Sequence, residues 1–189
     1  MSGVPPVEIA VVGPPGCGKS SLVCRMSQRP LSGAKKVEDE VKIKTQDGTR
    51  LHVRDTDERD WQNRVENAEV VLLVYVADDK REPTKVASEW LPKLKGKATK
   101  QEKEKRFKKK KKKKKGKKVL LIGTGIDRRL RVVPENPSHE EVESLLDAML
   151  DERAQERVLP LFDQFDCLVG SLEVSNTLNA NTQMALPLA

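Results

Sequence analysis

The residues Gly13-Pro14-Pro15-Gly16-Cys17-Gly18-Lys19-Ser20 satisfy the pattern G-x-x-x-x-G-K-[ST] at every fixed position, and they follow directly on the apolar run Val7 to Val12. A strand that feeds such a loop, with a helix after it, is the setting in which this pattern holds phosphate. Glycine reaches backbone conformations that let successive N–H groups converge on one anion. Lys19 is suited to neutralise the β- and γ-phosphates, and the Ser20 hydroxyl is suited to Mg²⁺. Gly13, Gly16, Cys17, Gly18, Lys19, Ser20 and Ser21 are therefore the candidate phosphate-binding residues. The competing reading, a Gly/Pro-rich surface turn, does not account for strand, lysine and helix start coinciding.

The chain has 189 residues, enough for a single domain spanning 1–189, and with 3% aromatic residues its core must be filled by Val, Leu and Ile. The longest apolar stretch, Val70 to Ala77, is too short to cross a membrane and reads as a buried strand. The N-terminal stretch carries Glu8 and has no basic start, so no signal peptide is expected. Cys17, Cys24 and Cys167 are too few and too scattered for a disulfide framework or a zinc site, which points to a reducing, cytoplasmic setting. With Ser2 at the second position and no cysteine near Ala189, neither myristoylation nor prenylation is expected.

The apolar runs predict strands at Val7 to Val12, Val37 to Thr45, Arg50 to Asp55, Val70 to Ala77, Val119 to Gly123 and Asp166 to Val174. Helices are predicted at Lys19 to Ser27, Asp60 to Asn67, Thr84 to Lys95 and Ser138 to Leu159. The last carries the stripe Val142, Leu145, Leu146, Met149 and Leu150, with Ser138 and Glu141 placed as a capping box. Gln46-Asp47-Gly48-Thr49 joins the second and third strands so tightly that they must form an antiparallel hairpin in an otherwise parallel sheet. The expected class is α/β: a three-layer nucleoside-triphosphatase fold with a six-stranded, mostly parallel sheet and one antiparallel hairpin.

Phosphate loop, hairpin, Asp55 closing the third strand, buried fourth strand and Gly-x-x-x-Asp after the fifth occur in an order that resembles the Ras superfamily of small GTPases, over roughly residues 7 to 178. The resemblance implies a G domain that binds GTP or GDP with Mg²⁺. In that family an Asp-x-x-Gly motif follows the third strand; Asp55-Thr56-Asp57-Glu58 keeps the Asp and lacks the Gly. By resemblance Asp55 joins Ser20 as a metal residue, with Asp78, after the fourth strand, as its rival on an ATPase-like reading. The guanine motif Asn-Lys-x-Asp is matched by Thr124-Gly125-Ile126-Asp127, where Asp127 would read the base and Thr124 has no amide to bridge with. Arg131-Val132-Val133 looks like the family's Arg-x-Val, and Glu173-Val174-Ser175-Asn176 is similar to Glu-Thr-Ser-Ala, so the backbone of Ser175 and Asn176 would face the base.

The departures bear on hydrolysis. Arg59 stands where the family has the Gln that orients the attacking water, and a guanidinium accepts no hydrogen bond. No Thr lies between Ser20 and Val41 to cap Mg²⁺, Ser32 and Ser27 being the nearest hydroxyls, and Pro14 and Pro15 lack N–H groups. Hydrolysis is expected to be slow or absent, and no residue is assigned a catalytic role. Two other readings stay open: an ATP-binding P-loop ATPase or nucleotide kinase, and a nucleotide-free pseudo-GTPase scaffold. Cys17, at a helix start, is a candidate for a lowered thiol pKa or for plain packing. His52 and His139 read as structural.

The net charge of +7 averages two unlike parts: Lys93 to Lys118 has 17 Lys and Arg against 2 Glu, and the remainder has 19 against 27. Within the stretch 96–118, Lys108 to Lys115 is an unbroken run of eight, and only Ala98 and Phe107 are apolar. Such a segment cannot bury a core and reads as a disordered or partly helical insert before the fifth strand, at the pole opposite the phosphate loop. Its candidate partners are anionic lipid, nucleic acid and acidic proteins, with nuclear or peripheral-membrane placement as the corollary; protein effectors or regulators are what the family resemblance implies. A tolerated low-complexity expansion is the plainer reading. After Asn176 only thirteen residues follow, too few for a long closing helix, so apolar strand surface is expected to lie open unless a partner or the helix at Ser138 to Leu159 covers it.

Overall fold

The computed structural model describes residues 5–28, 40–45, 49–56, 60–78, 82–94, 117–134, 137–149 and 152–182. Side chains alternate along β1 (Val7–Val12) between two cores. Ile9 and Val11 enter one, and Ala10 and Val12 the other. The same division runs through β4 (Val70–Val76), where Leu72 and Val74 oppose Val71, Leu73 and Tyr75. Strands buried on both faces read as unbroken apolar runs because helices cover each side.

With β2 (Glu40–Lys44), β3 (Arg50–Asp55), β5 (Lys118–Thr124) and β6 (Leu168–Val174) the sheet has six strands in the order β2-β3-β1-β4-β5-β6. Only β2 and β3 pair antiparallel, with Val41 opposite Val53; the other pairs are parallel, as the hairpin reading required. The turn residues Gln46 to Gly48 lie outside the described residues. Helix α1 (Lys19–Met26) packs Leu22, Val23 and Met26 on the face carrying Ile9 and Val11. Helices α2 (Trp61–Asn67), α3 (Glu82–Leu94), α4 (His139–Met149) and α5 (Glu152–Gln164) cover the other, through Val65, Leu91, Met149 and Leu161. From β1 the chain goes to one edge of the sheet and returns as β4 on the other side of β1. The connections thus diverge at the C-terminal ends of these strands, the crevice where such sheets hold ligands, and the glycine-rich loop 13–20 leaves β1 there.

The single helix expected over Ser138 to Leu159 is two helices, α4 and α5. Met149 and Val158 are both buried in the same core, yet nine residues of continuous helix would set them about 180° apart. Residues 150 and 151, between the two helices, lie outside the described residues. The capping box forms as expected, with Ser138 N donating to Glu141 Oε2 at 2.7 Å and Glu141 N donating to Ser138 Oγ at 3.2 Å. The Ser138 N–H bond holds the Glu141 carboxyl below its ordinary range. A carboxylate depressed in the folded state contributes stability above its unfolded pKa and loses it as pH falls through the folded one. Amide exchange at the start of α4 is therefore expected to quicken on acidification in the native protein but not in Glu141→Gln.

Leu120, Ile122 and Val174, on the α1 side of β5 and β6, are fully buried, whereas on the edge strand β6 Val169 is 47% exposed and Leu172 only partly buried, so the expected open apolar surface is confined to that edge. Helices α4 and α5 pack on the opposite face and are not its cover. After β6 the chain turns back through a bridge in which Ser175 and Ala180 exchange N–H···O bonds of 3.0 Å.

Candidate functional site

Gly13 leaves β1 with φ of 152°, and a β-carbon on it would come within 2.3 Å of the Val74 carbonyl oxygen. No other residue fits that approach. Gly18 caps α1 with φ of 87°, packed under Thr124 and Asn176, and Gly16 at 74° also takes the left-handed form. The loop delivers Lys19 so that Nζ donates to the carbonyls of Gly13 and Pro14, both at 3.0 Å. An ammonium has three donors, and the ring of carbonyls sets where the third lies. Ser20 and Ser21 follow in the first turn of α1, where helix N–H groups have no intrahelical acceptors.

Asp55 ends β3, whose register sets it against Val11 at the end of β1. Its Oδ2 accepts from Ser20 Oγ at 2.5 Å, and Oδ1 is buried with no hydrogen-bond partner among the described residues. Next to it, Thr56 Oγ donates to Val11 O at 2.6 Å and fixes where the strand stops. A buried carboxylate oxygen without a donor, next to a hydroxyl, suits a hard divalent cation whose other ligands are phosphate and water. The residues fit Mg²⁺ in that sense. Asp78 is elsewhere, paired with exposed Arg128 at 3.3 Å, so Asp55 and not Asp78 is brought to Ser20. No group of three or more His, Cys, Asp or Glu side chains suited to a metal occurs among the described residues.

At the end of β5, Asp127 lies in a 3-10 turn (Ile126–Arg129) and is 7% exposed, its Oδ1 accepting from Ser175 Oγ at 2.6 Å. Ser175 Oγ in turn accepts the N–H of Leu178. Thr124 was not expected to bridge as an amide does, yet its hydroxyl lies 2.6 Å from Cys17 O and 3.1 Å from Tyr75 O. It has one proton to give, and the shorter contact ties β5 to the phosphate loop. Asn176 adds a second tie, Nδ2 donating to Gly18 O at 3.2 Å. Arg25, from α1, donates to the carbonyls of Asn176 and Thr177 at 2.7 and 2.9 Å.

Arg129 was not singled out in the sequence. Its guanidinium grips both oxygens of Glu173 at 2.7 and 2.8 Å and also donates to Met149 O and Ala77 O, joining β6, α4 and the end of β4 behind Asp127. Arg131, the residue matching the family motif, is exposed. A hollow of about 890 Å³ lies beyond the Ser175–Ala180 turn, between Arg25, Pro137, Val142 and Leu178, and is lined by none of residues 13–20.

Cys17 is 1% exposed, and burial pushes its thiol up despite Lys19 nearby. The lowering expected from its place at a helix start does not prevail, and Cys17 packs with Val11 and Leu22. Native alkylation at neutral pH is expected to modify Cys167, the least buried of the three cysteines, well before Cys17, with peptide mapping as the readout.

Arg59, Ser32 and the run Lys108 to Lys115 lie outside the described residues. The described flanks of the insert are Leu94, ending α3, and Lys117, whose Nζ donates to Val65 O ahead of β5. Lys118 is six residues before Thr124 on the same strand, about 20 Å from the loop that carries Asp127. No helix among the described residues is long and apolar enough to cross a membrane. No family model matches the chain, and no curated protein matches it.

Proposed function

We propose that the chain is a guanine-nucleotide-binding protein of Ras-like G-domain type, holding GTP or GDP with Mg²⁺ and acting through protein partners as a signalling or trafficking switch or scaffold. The observation that carries this reading is the convergence of Lys19, the Ser20–Asp55 pair and Asp127 on the C-terminal ends of β1, β3 and β5. Lys19 and the loop N–H groups supply positive potential for a triphosphate, and Ser20 and Asp55 would hold Mg²⁺, which would neutralise charge between the β- and γ-phosphates. Asp127, oriented by Ser175, keeps an oxygen for the N–H donors that guanine presents and adenine lacks.

The residues after Asp55 in the sequence support weak turnover. Arg59 offers no acceptor for a water, and Glu58 replaces the glycine whose N–H the family uses at the γ-phosphate. Binding without efficient hydrolysis suits a protein whose output is its bound state.

Thermal unfolding tests the reading. At a hundred times its Kd, GTP with Mg²⁺ stabilises by about 2.7 kcal/mol, which for a chain of this size raises Tm by about 5–10 °C. Equal shifts with ATP would remove the guanine part of the reading, and no shift with either would leave the scaffold reading.

A further inference from the structure

Two side chains from the base side hold consecutive carbonyls of the phosphate loop: Thr124 holds Cys17 O, and Asn176 holds Gly18 O. A peptide unit is planar, so fixing a carbonyl fixes the direction of the N–H on the opposite side of the same plane. The Cys17 carbonyl shares its plane with Gly18 N–H, and the Gly18 carbonyl shares its plane with Lys19 N–H. Gly18 has no side chain of its own to resist rotation and sits at φ of 87°. Its carbonyl also accepts the first helical bond, from Leu22 N at 2.9 Å, so Asn176 fills the second lone pair and closes the geometry of that unit.

Asn176 is a poor choice for packing alone. It is 8% exposed, and its Oδ1 is buried with no hydrogen-bond partner among the described residues. An amide kept there with half of its bonding capacity unmet costs stability. The amide orientation is set by Gly18, because only Nδ2 can donate to a carbonyl. The backbone of Asn176 is held in turn by Arg25, so the side chain has a fixed base from which to act.

We propose that Asn176 is a positioning residue for nucleotide retention: its side-chain amide pins the Gly18 carbonyl and thereby aims the Lys19 N–H at the phosphates, coupling the Asp127–Ser175 side of the site to the phosphate loop. This rests on the nucleotide-binding reading above. It differs from the backbone role given to residue 176 by resemblance, and it places the amide missing at Thr124 on another strand end.

The test is the dissociation rate of fluorescently labelled GDP in Mg²⁺, chased with unlabelled GDP, for the wild-type chain, Asn176→Ala and the isosteric Asn176→Asp. Loss of one hydrogen bond at the loop is expected to speed release about tenfold in Asn176→Ala, and further in Asn176→Asp, which sets a carboxylate against a carbonyl. Displacement by inorganic tripolyphosphate is expected to weaken in parallel, because the effect passes through the loop N–H. The Tm of nucleotide-free Asn176→Ala is expected to equal or exceed that of wild type, since the unpaired Oδ1 is gone.

Unchanged release in both variants overturns the proposal. So does a loss confined to GDP with tripolyphosphate unaffected, which would place Asn176 on the base, or a fall in nucleotide-free Tm that accounts for the faster release. A wild-type chain that binds neither labelled GDP nor tripolyphosphate overturns the functional reading itself, and is distinguished from the other outcomes by that first measurement.

Discussion

Lys19→Met is expected to weaken GTP binding about a hundred- to a thousandfold, as removal of an ammonium making charge-assisted bonds to phosphate requires. Two losses combine. The cation itself goes, and so do the bonds from Nζ to Gly13 O and Pro14 O that shape the loop around it. Methionine keeps the unbranched stem and much of the volume, so the rest of α1 has no reason to move. Equilibrium titration with labelled GTP reads the effect, with circular dichroism as the control for folding. An affinity within a factor of about three of wild type would mean that residues 13–20 do not hold the phosphates, since even one charge-assisted bond is worth more than that.

The second large effect is on stability. Arg129 and Glu173 are 16% and 12% exposed, and their paired bonds are supplemented by those from Arg129 to Met149 O and Ala77 O. Breaking one side of a part-buried pair leaves the other charge poorly compensated, so Arg129→Met is expected to lose about 2–3 kcal/mol in urea unfolding. Glu173→Gln keeps an acceptor and is expected to lose less. The double change Arg129→Met with Glu173→Leu is expected to recover part of the loss, because no charge is then left buried. Additive losses in the double variant would show that the two side chains act apart. Because the pair stands behind Asp127, the single variants are also expected to weaken nucleotide binding.

Much of the architecture was legible because it depends on local signals. The run Val7 to Val12, the glycines after it and the alternation on either side of Gln46 to Thr49 specify β1, the loop and the hairpin without reference to the rest of the chain. The split between α4 and α5 was not legible: the stripe from Val142 to Met149 continues locally, and only the shared core of Met149 and Val158 forces the phase change. For Cys17 the packing reading is the one its burial bears out. Its place at a helix start is a sequence fact, whereas the burial that raises its thiol pKa belongs to the packed structure.

The site divides in the same way. Ser20 and Asp55 are 35 residues apart and were paired on the resemblance, and they meet because β3 lies parallel to β1 with Val11 opposite Asp55. The contacts of Thr124, Asn176 and Arg129 have no signature in the sequence. Thr124 lacks the amide that would have marked it, the side chain of Asn176 acts across 158 residues, and Arg129 reaches Glu173 from outside any motif in the sequence. Long-range hydrogen bonds between loop carbonyls and single side chains depend on how strand ends are brought together, which residue spacing does not encode.

Calorimetric titration of GTP into the full chain, in millimolar Mg²⁺ and again after chelation, tests the central claim most directly. One GTP per chain is expected to bind saturably and to be displaced by GDP, with affinity falling on chelation in wild type and much less in Asp55→Asn, which has already lost the metal's carboxylate. Absence of saturable binding at millimolar GTP, or binding indifferent to Mg²⁺ in the wild-type chain, would contradict a triphosphate site built on Lys19, Ser20 and Asp55.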